Sequence, residues 1–193
     1  AQDTAFHGSG REDIDARMLG RGRPFVLEVA SPRRRKVNLK ELESAINEHA
    51  EGKVEVEKLT YTTKSTVKQL KAAAHPKRYS VVVLLDGEVS RSHLSHALDA
   101  LTGVGIAQQT PRRVVHRRAD KVRVRHVYEA QLKALEGKKA HIELRCESGT
   151  YVKELISGDE GRTRPSLSEL LGVGAVVSEL DVLDVEDEGA HPP

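Results

Sequence analysis

Hydrophobic and polar positions along the chain form short segments that alternate between the spacing of strands and that of helices. Residues 24–30 (PFVLEVA) predict a strand, because apolar and β-branched residues cluster at its centre. Residues 39–50 predict a helix capped by Asn38, because their apolar positions recur on one helical face. The Val/Glu alternation that opens residues 53–62 (KVEVEKLTYT) predicts a half-buried strand.

The middle of the chain continues this alternation of helix and strand. Residues 65–74 have helical spacing, and Pro76 ends the segment. The nearly continuous β-branched run of residues 79–85 (YSVVVLL) predicts a central strand that is buried on both faces. Ser90 is placed to open a further helix, which Gly103 ends.

The last third predicts a hairpin, two short helices and a final strand. A strand with cations on one face (VRVRHV), within residues 121–135, pairs with the alternating residues 140–146 across Gly137. The remaining elements are short helices at 150–156 and 165–172 and a strand at 176–185. The order indicates a mixed α/β (α+β) fold with strands joined by hairpins, and the lack of repeats or linkers predicts one domain.

Composition narrows the class of protein. The chain has 193 residues, of which 38% are hydrophobic and 31% charged, as in soluble globular proteins. No apolar run approaches the roughly 20 residues that span a bilayer, and no signal peptide is visible at the start. Cys146 is the single cysteine, so a disulfide within the chain is excluded and a reduced, cytoplasmic setting is expected.

Charge is unevenly distributed although the net charge is only +2. One basic run is residues 33–36 (RRRK), and a second extends from Arg112 to Arg125. Acidic residues gather near the C-terminus: Glu179, Asp181, Asp184, Glu186, Asp187 and Glu188. This asymmetry suggests a basic surface for a polyanion, although a basic run is equally compatible with a solvated face.

Motifs for several kinds of chemistry are missing from the sequence. The GRGRP of residues 20–24 lacks the spacing of a phosphate-binding loop, and the histidines are scattered without a metal-binding pattern. Two polar, glycine-punctuated segments remain, residues 8–25 and residues 147–172. Polar loops beside rigid elements are common positions for active sites, but surface loops with ordinary salt bridges have the same composition.

These segments carry a resemblance to a known family. GREDIDARMLGRGRPF (residues 10–25) resembles the catalytic motif of the archaeal and eukaryotic tRNA pseudouridine synthases that modify uridines 54 and 55 of the TΨC arm. ESGTYVKELISGDEGRTRP (residues 147–165) resembles the C-terminal motif of that family, and TPRRVVHRRADKVRVR (residues 110–125) resembles a block between the two. The resemblance covers nearly the whole chain in the family's order.

The resemblance implies a fold and an activity. The fold is that of the pseudouridine synthases, a mixed and largely antiparallel central sheet flanked by helices. Residues 1–193 would form the catalytic domain, and the family's N-terminal RNA-binding region with its zinc site would be missing. The activity would be cofactor-independent conversion of uridine to pseudouridine in tRNA, and the chain would need neither a metal nor a membrane.

The resemblance also implies roles for single residues. It assigns the catalytic carboxylate to Asp13, which matches the aspartate of an arginine–any–aspartate form shared more widely; on the residues alone Asp15 is a close rival. Tyr79 matches an active-site tyrosine that stacks on the uracil and whose hydroxyl helps to remove the C5 proton. Lys153 matches the basic partner of the aspartate, which a carboxylate in a closed pocket needs to stay ionised. The remaining predicted substrate contacts are Arg11, Val152 and Leu180.

Five arginines are predicted to contact RNA. They are Arg112, Arg113, Arg117, Arg118 and Arg162. Contacts from such side chains to phosphates supply salt-dependent affinity, while the folded arm of the tRNA supplies shape recognition. Two alternatives stay open at this point: an RNA-binding module without activity, and a different RNA-acting enzyme such as a nuclease, which would ordinarily need several metal-binding carboxylates or a histidine pair. The oligomeric state is not indicated.

Overall fold

A computed structural model describes residues 3–186 of the chain. Their contacts divide them into two compact units. The small unit contains the residues up to Ser9 together with Pro24–Ala73, and the large unit contains Gly10–Arg23 and the chain from Ala74 onward. The sequence pattern did not reveal this division, and the assignment of residues 1–193 to one catalytic domain stays a prediction. Of the predicted acidic cluster, Asp187 and Glu188 lie outside the described residues.

The small unit consists of a two-stranded sheet and two helices. Strand β1 (Asp3–Gly8) pairs antiparallel with β3 (Phe25–Ala30), and the helices are α1 (Leu39–Ala50) and α2 (Lys64–Ala72). The predicted cap of α1 is confirmed, because the side chain of Asn38 accepts hydrogen bonds from the first backbone N–H groups of the helix.

The strand predicted over residues 53–62 is wrong, because this segment forms no strand. Its backbone groups bond to side chains of α1 instead of to another strand. The Asn47 side chain binds both the N–H and the carbonyl of Val56, at 2.8 and 2.9 Å, and the Glu43 carboxylate accepts from the N–H of Leu59 at 3.1 Å. Side chains of α1 therefore satisfy backbone groups that a sheet would otherwise pair.

The large unit is built on a seven-stranded sheet. Its strands are β2 (Arg17–Met18), β4 (Lys77–Leu85), β5 (Gly105–Gln109), β6 (Val122–Glu136), β7 (Lys139–Cys146), β8 (Thr163–Arg164) and β9 (Ala175–Val185). They lie side by side in the order β2, β9, β4, β7, β6, β5, β8, and only the β2–β9 pair is parallel. The predicted hairpin of β6 and β7 across Gly137 is confirmed, and so is the mixed, largely antiparallel sheet.

Three helices flank this sheet and close its core. They are α3 (Arg91–Leu101), α4 (Val152–Ser157) and α5 (Leu167–Leu171), and each buries its apolar residues against the core. The central position of β4 is confirmed, and the prediction that both of its faces are buried holds only in part. Tyr79, Val81 and Val83 alternate into the core, whereas on the other face Val82 is buried but Leu84 is 44% exposed. Within residues 3–186, no helix combines the length and apolar character needed to cross a membrane.

Candidate active site

The loop of residues 10–23 is held against the edge of the large sheet by its short strand β2. Arg17 of β2 lies beside Asp181 of β9, and its guanidinium donates to both carboxylate oxygens at 2.6 and 2.7 Å. Beyond β2, the N–H of Leu19 donates to the carbonyl of Val182 at 2.8 Å. Asp13 precedes these contacts, in a turn closed by a 3.1 Å hydrogen bond from the N–H of Ala16 to its carbonyl.

Two cations from distant parts of the chain lie at the Asp13 carboxylate. Nη1 of Arg113, which follows β5, is 2.5 Å from Oδ1 of Asp13. Nζ of Lys153 in α4 is 3.9 Å from Oδ2. The side chain of Asp13 is 28% exposed, so that its carboxylate is partly withdrawn from water. The structure therefore brings Asp13 and Lys153 together and adds Arg113 as the nearer cation.

Lys153 has a closer partner in Asp15. Its Nζ lies 2.6 Å from Oδ2 of Asp15, and this hydrogen bond is the main reason why the pKa of Asp15 is below its usual value. The side chain of Asp15 is 63% exposed, in contrast to that of Asp13. Lys153 thus contacts both Asp13 and Asp15, the two candidate catalytic carboxylates. The side chain of Asp15 is the more exposed of the two.

Glu154 is a site residue that the sequence did not indicate. It follows Lys153 in α4, is buried, and binds Nε and Nη2 of Arg113 at 2.6 and 3.1 Å. These hydrogen bonds, followed by that of Asp13, raise the pKa of Arg113 despite its partial burial. The Arg113 guanidinium therefore bridges the carboxylates of Asp13 and Glu154, and it is not free to bind an RNA phosphate.

The remaining predicted pocket residues are buried in the core of the large unit. Tyr79 of β4 is buried, and burial raises the pKa of its hydroxyl, with smaller contributions from Cys146 and from the charge of Asp13. Val152 at the start of α4 and Leu180 of β9, which pairs with Val81, are both buried apolar residues.

The other predicted RNA contacts differ in how free they are. Arg117 is exposed, as is Arg11 in the Asp13 loop. Arg118 is exposed and donates to the hydroxyl of Tyr151 at 3.2 Å.

Arg112 and Arg162 are more firmly engaged within the protein. Arg112 lies 2.5 Å from Glu160 in an ion pair. Arg162 donates to the carbonyl of Thr110 at 2.8 Å and to Asp120 at 2.6 Å. Of the five arginines, Arg117 and Arg118 are thus the most available to an external phosphate.

A solved structure shares this fold. A chain in the crystal structure of a Cbf5–Nop10–Gar1 complex superimposes with a TM-score of 0.53 at 23% identity, covering 78% of this chain and 47% of that one. The two chains therefore share a fold, and in this chain a carboxylate lies between two cations at the candidate site. The family described as Pus10, C-terminal, matches residues 1–186, and the chain belongs to this family.

Curated relatives from archaea carry the same family name. The chain is 55% identical over 185 residues to the tRNA pseudouridine synthase Pus10 of Methanothrix thermoacetophila, covering 96% of this chain and 41% of that protein. It is 53% identical to the protein of the same name in Archaeoglobus fulgidus, covering 96% of this chain and 51% of that protein. The chain thus spans about half the length of the curated relatives that it matches.

Proposed function

We propose that this chain is the catalytic domain of a tRNA pseudouridine synthase, which isomerises uridine 54, uridine 55 or both in the TΨC arm with Asp13 as its nucleophile. One observation carries the proposal: the Asp13 carboxylate lies 2.5 Å from Arg113 and 3.9 Å from Lys153, although these residues are distant in sequence. Family membership and the names of the relatives support the reaction.

The reaction requires a carboxylate and no redox step. Asp13 acts on a uridine that has been flipped out of the arm, and the C1′–N1 bond breaks. The detached uracil turns, C5 bonds to C1′, and the proton of C5 is lost while N1 gains one. Product and substrate are isomers, so the residues of the site can complete the reaction without a cofactor.

Asp13 suits this role better than Asp15. Its side chain is 28% exposed against 63% for Asp15, so that access of water to it is more easily excluded. Two cations flank the Asp13 carboxylate, at 2.5 and 3.9 Å, and hold it in place. We assign to Asp15 the accessory role of holding Lys153 over the cleft.

Access of the base to Asp13 involves Arg113 and Tyr79. Only Nη1 of Arg113 binds Asp13, whereas Nε and Nη2 remain on Glu154, so that a small rotation frees the carboxylate without leaving the guanidinium unpaired. The raised pKa of Tyr79 keeps it a neutral phenol at neutral pH. This supports stacking on the uracil more than removal of the C5 proton by the hydroxyl.

The phosphates of the tRNA would contact cations away from the Asp13 carboxylate. Arg11, Arg117, Arg118 and the run of residues 33–36 are exposed, as phosphate contacts must be. A tRNA substrate and a buried, unpaired thiol at Cys146 both suit the cytoplasm.

Release of tritium from tRNA labelled at C5 of uridine tests the proposal. The unmodified chain is expected to release tritium, and Asp13→Asn is expected to lower the rate by at least about 10³-fold, because the nucleophile is lost while the shape is kept. Asp15→Asn is the matched control, since it removes the neighbouring carboxylate, and we expect it to retain more than a tenth of the rate. Mapping the product positions distinguishes uridine 54 from uridine 55.

Three outcomes would contradict the proposal. A fully active Asp13→Asn protein would remove the nucleophile assignment. A chain that binds tRNA but releases no tritium would favour the RNA-binding module instead, and inhibition by EDTA would favour a metal-dependent nuclease.

A further inference from the structure

Glu12, the residue before the proposed nucleophile, is a buried acid within an otherwise open loop. Its side chain is 10% exposed, whereas that of Asp13 is 28% exposed and Ile14 is fully exposed. An ionised carboxylate loses much of its hydration at such a position and must be compensated by cations. The orientation of the Glu12 side chain is therefore set by the cations that surround its carboxylate.

Two buried cations meet the Glu12 carboxylate. Oε1 contacts Nζ of Lys77, whose side chain is 6% exposed, and Oε2 contacts the guanidinium of Arg23, whose side chain is 18% exposed. Arg23 also donates to the carbonyl of Gly10 at 2.7 Å. The triad of Glu12, Lys77 and Arg23 thus joins the two ends of the loop to each other and to β4.

The backbone at Gly10 is shaped to fit this triad. Gly10 has a φ of 81°, a conformation that side chains disfavour, and a Cβ there would lie 2.5 Å from Nζ of Lys77. The start of the loop therefore lies directly against the buried ammonium group. The positive φ of the turn is what favours a glycine at this position.

We infer that Glu12 is a positioning residue that fixes Asp13 relative to Tyr79 through the buried pair that it forms with Lys77. Lys77 and Tyr79 are two residues apart on β4, so that their side chains leave the same face of the strand. Glu12 is directly bonded in the chain to Asp13, and Arg17 on Asp181 holds the other side of the turn. Two ion pairs, from Glu12 to Lys77 of β4 and from Arg17 to Asp181 of β9, then set the position of the Asp13 carboxylate relative to Tyr79.

The charges explain why the carboxylate is indispensable here. Burial, together with the charge of Arg23, lowers the pKa of Lys77 to about 8, which means that its ammonium group is poorly accommodated by its surroundings. Without the charge of Glu12, Lys77 and Arg23 would lose their shared anionic partner at a buried position. The loop would then be expected to move outward and carry Asp13 with it.

The test combines Glu12→Gln with a local measurement of the loop, and its kinetic part rests on the proposed function. We expect kcat for tritium release to fall by about 10- to 100-fold with KM for tRNA within about twofold, because a displacement of about 1 Å can have an effect of that size. Hydrogen exchange of residues 10–16 should accelerate while that of β7 stays unchanged. Glu143→Gln is the matched control, since it breaks a Lys133–Glu143 pair on the face of β7 that points away from the core, and it should leave both quantities unchanged.

A second variant keeps the inference testable if Glu12→Gln folds poorly. Glu12→Gln combined with Lys77→Met leaves no unpaired lysine, so we expect it to fold while kcat stays at least about 10-fold reduced and the loop still exchanges rapidly. Wild-type kcat and wild-type loop exchange in that double variant would overturn the positioning role. An inactive wild-type chain would instead refute the proposed function, and the loop exchange would still decide whether Glu12 holds the loop.

Discussion

The two units of this chain differ in how they keep their side chains from water. Every fully buried apolar residue among residues 3–186 belongs to the large unit, from Tyr79 to Val185. In the small unit, neither α1 nor α2 has a buried residue, and Phe6 of β1 is 66% exposed. The small unit relies on the cap of α1 and on side-chain hydrogen bonds such as those of Asn47, whereas the large unit has a packed core.

The difference explains where a precise site can be built. A site that holds the Asp13 carboxylate at a fixed distance from Arg113 and Lys153 needs rigid supports, and packed strands and helices supply them. The loop of residues 10–23 is flanked in sequence by the small unit, yet its contacts are with the sheet of the large unit. The chain thus places its proposed nucleophile on the unit that has the core.

The largest expected effect tests whether the core is confined to the large unit. Leu144→Ala removes a fully buried side chain of β7 and should destabilise the protein by about 2–5 kcal/mol. Leu42→Ala removes a side chain of α1 that is 40% exposed and should lower stability by less than about 1 kcal/mol. Urea denaturation followed by circular dichroism measures both, and equal losses would show that the small unit has a core of its own.

A smaller effect tests whether the helices of the two units open independently. Asn38→Ala removes the cap of α1 and should lower local stability by about 1 kcal/mol, seen as faster hydrogen exchange confined to residues 39–50. Ser90→Ala removes the equivalent cap of α3, whose residues Leu94 and Leu98 are buried in the core. Hydrogen exchange in α3 should then change only together with that of β7. A change confined to α3 would show that this helix opens as independently as α1 does.

The smallest expected effect is the loss of folding stability at low pH, which should be similar for the two units. The pKa of Asp15 is lowered mainly by its hydrogen bond with Lys153, and that of Glu28 in β3 by its hydrogen bond with Lys64. A carboxylate whose pKa is lower in the folded state stabilises that state above its unfolded pKa and loses this contribution as pH falls through the folded value. Below about pH 4 the contribution of Asp15 should begin to fall, and because the side chain is largely exposed it is a few tenths of a kcal/mol at most.

Comparison with Asp15→Asn measures this contribution. Stability of the two proteins should converge as the pH is lowered from 7 to 3, and Glu28→Gln should behave in the same way. A loss several times larger for one of them would show that the carboxylate is shielded from solvent in a way that its exposure does not suggest.

Local sequence determined most of the elements and the candidate nucleophile. Asn38 and Ser90 cap helices where the pattern predicted them, and the β6–β7 hairpin turns at Gly137, because caps and turns depend on neighbouring residues. Asp13 was selected by its motif. Four strands were missed: β1, β2, β5 and β8. Strands β2 and β8 have only two residues each, which carry no periodicity, and they exist only through their partners β9 and β5. Strands β1 and β5 are defined by their pairing with β3 and β6.

Tertiary structure decided which charges meet. The basic run containing Arg113 predicted an RNA surface, but Arg113 lies on Asp13 and Glu154 because β5 and α4 are neighbours in space. Glu12 looked like one more charge in a polar loop, and only the approach of β4 placed it on Lys77. Ion pairs between residues far apart in sequence depend on the packing of elements, which no local pattern encodes; the motif therefore named Asp13, and the fold determined what holds it.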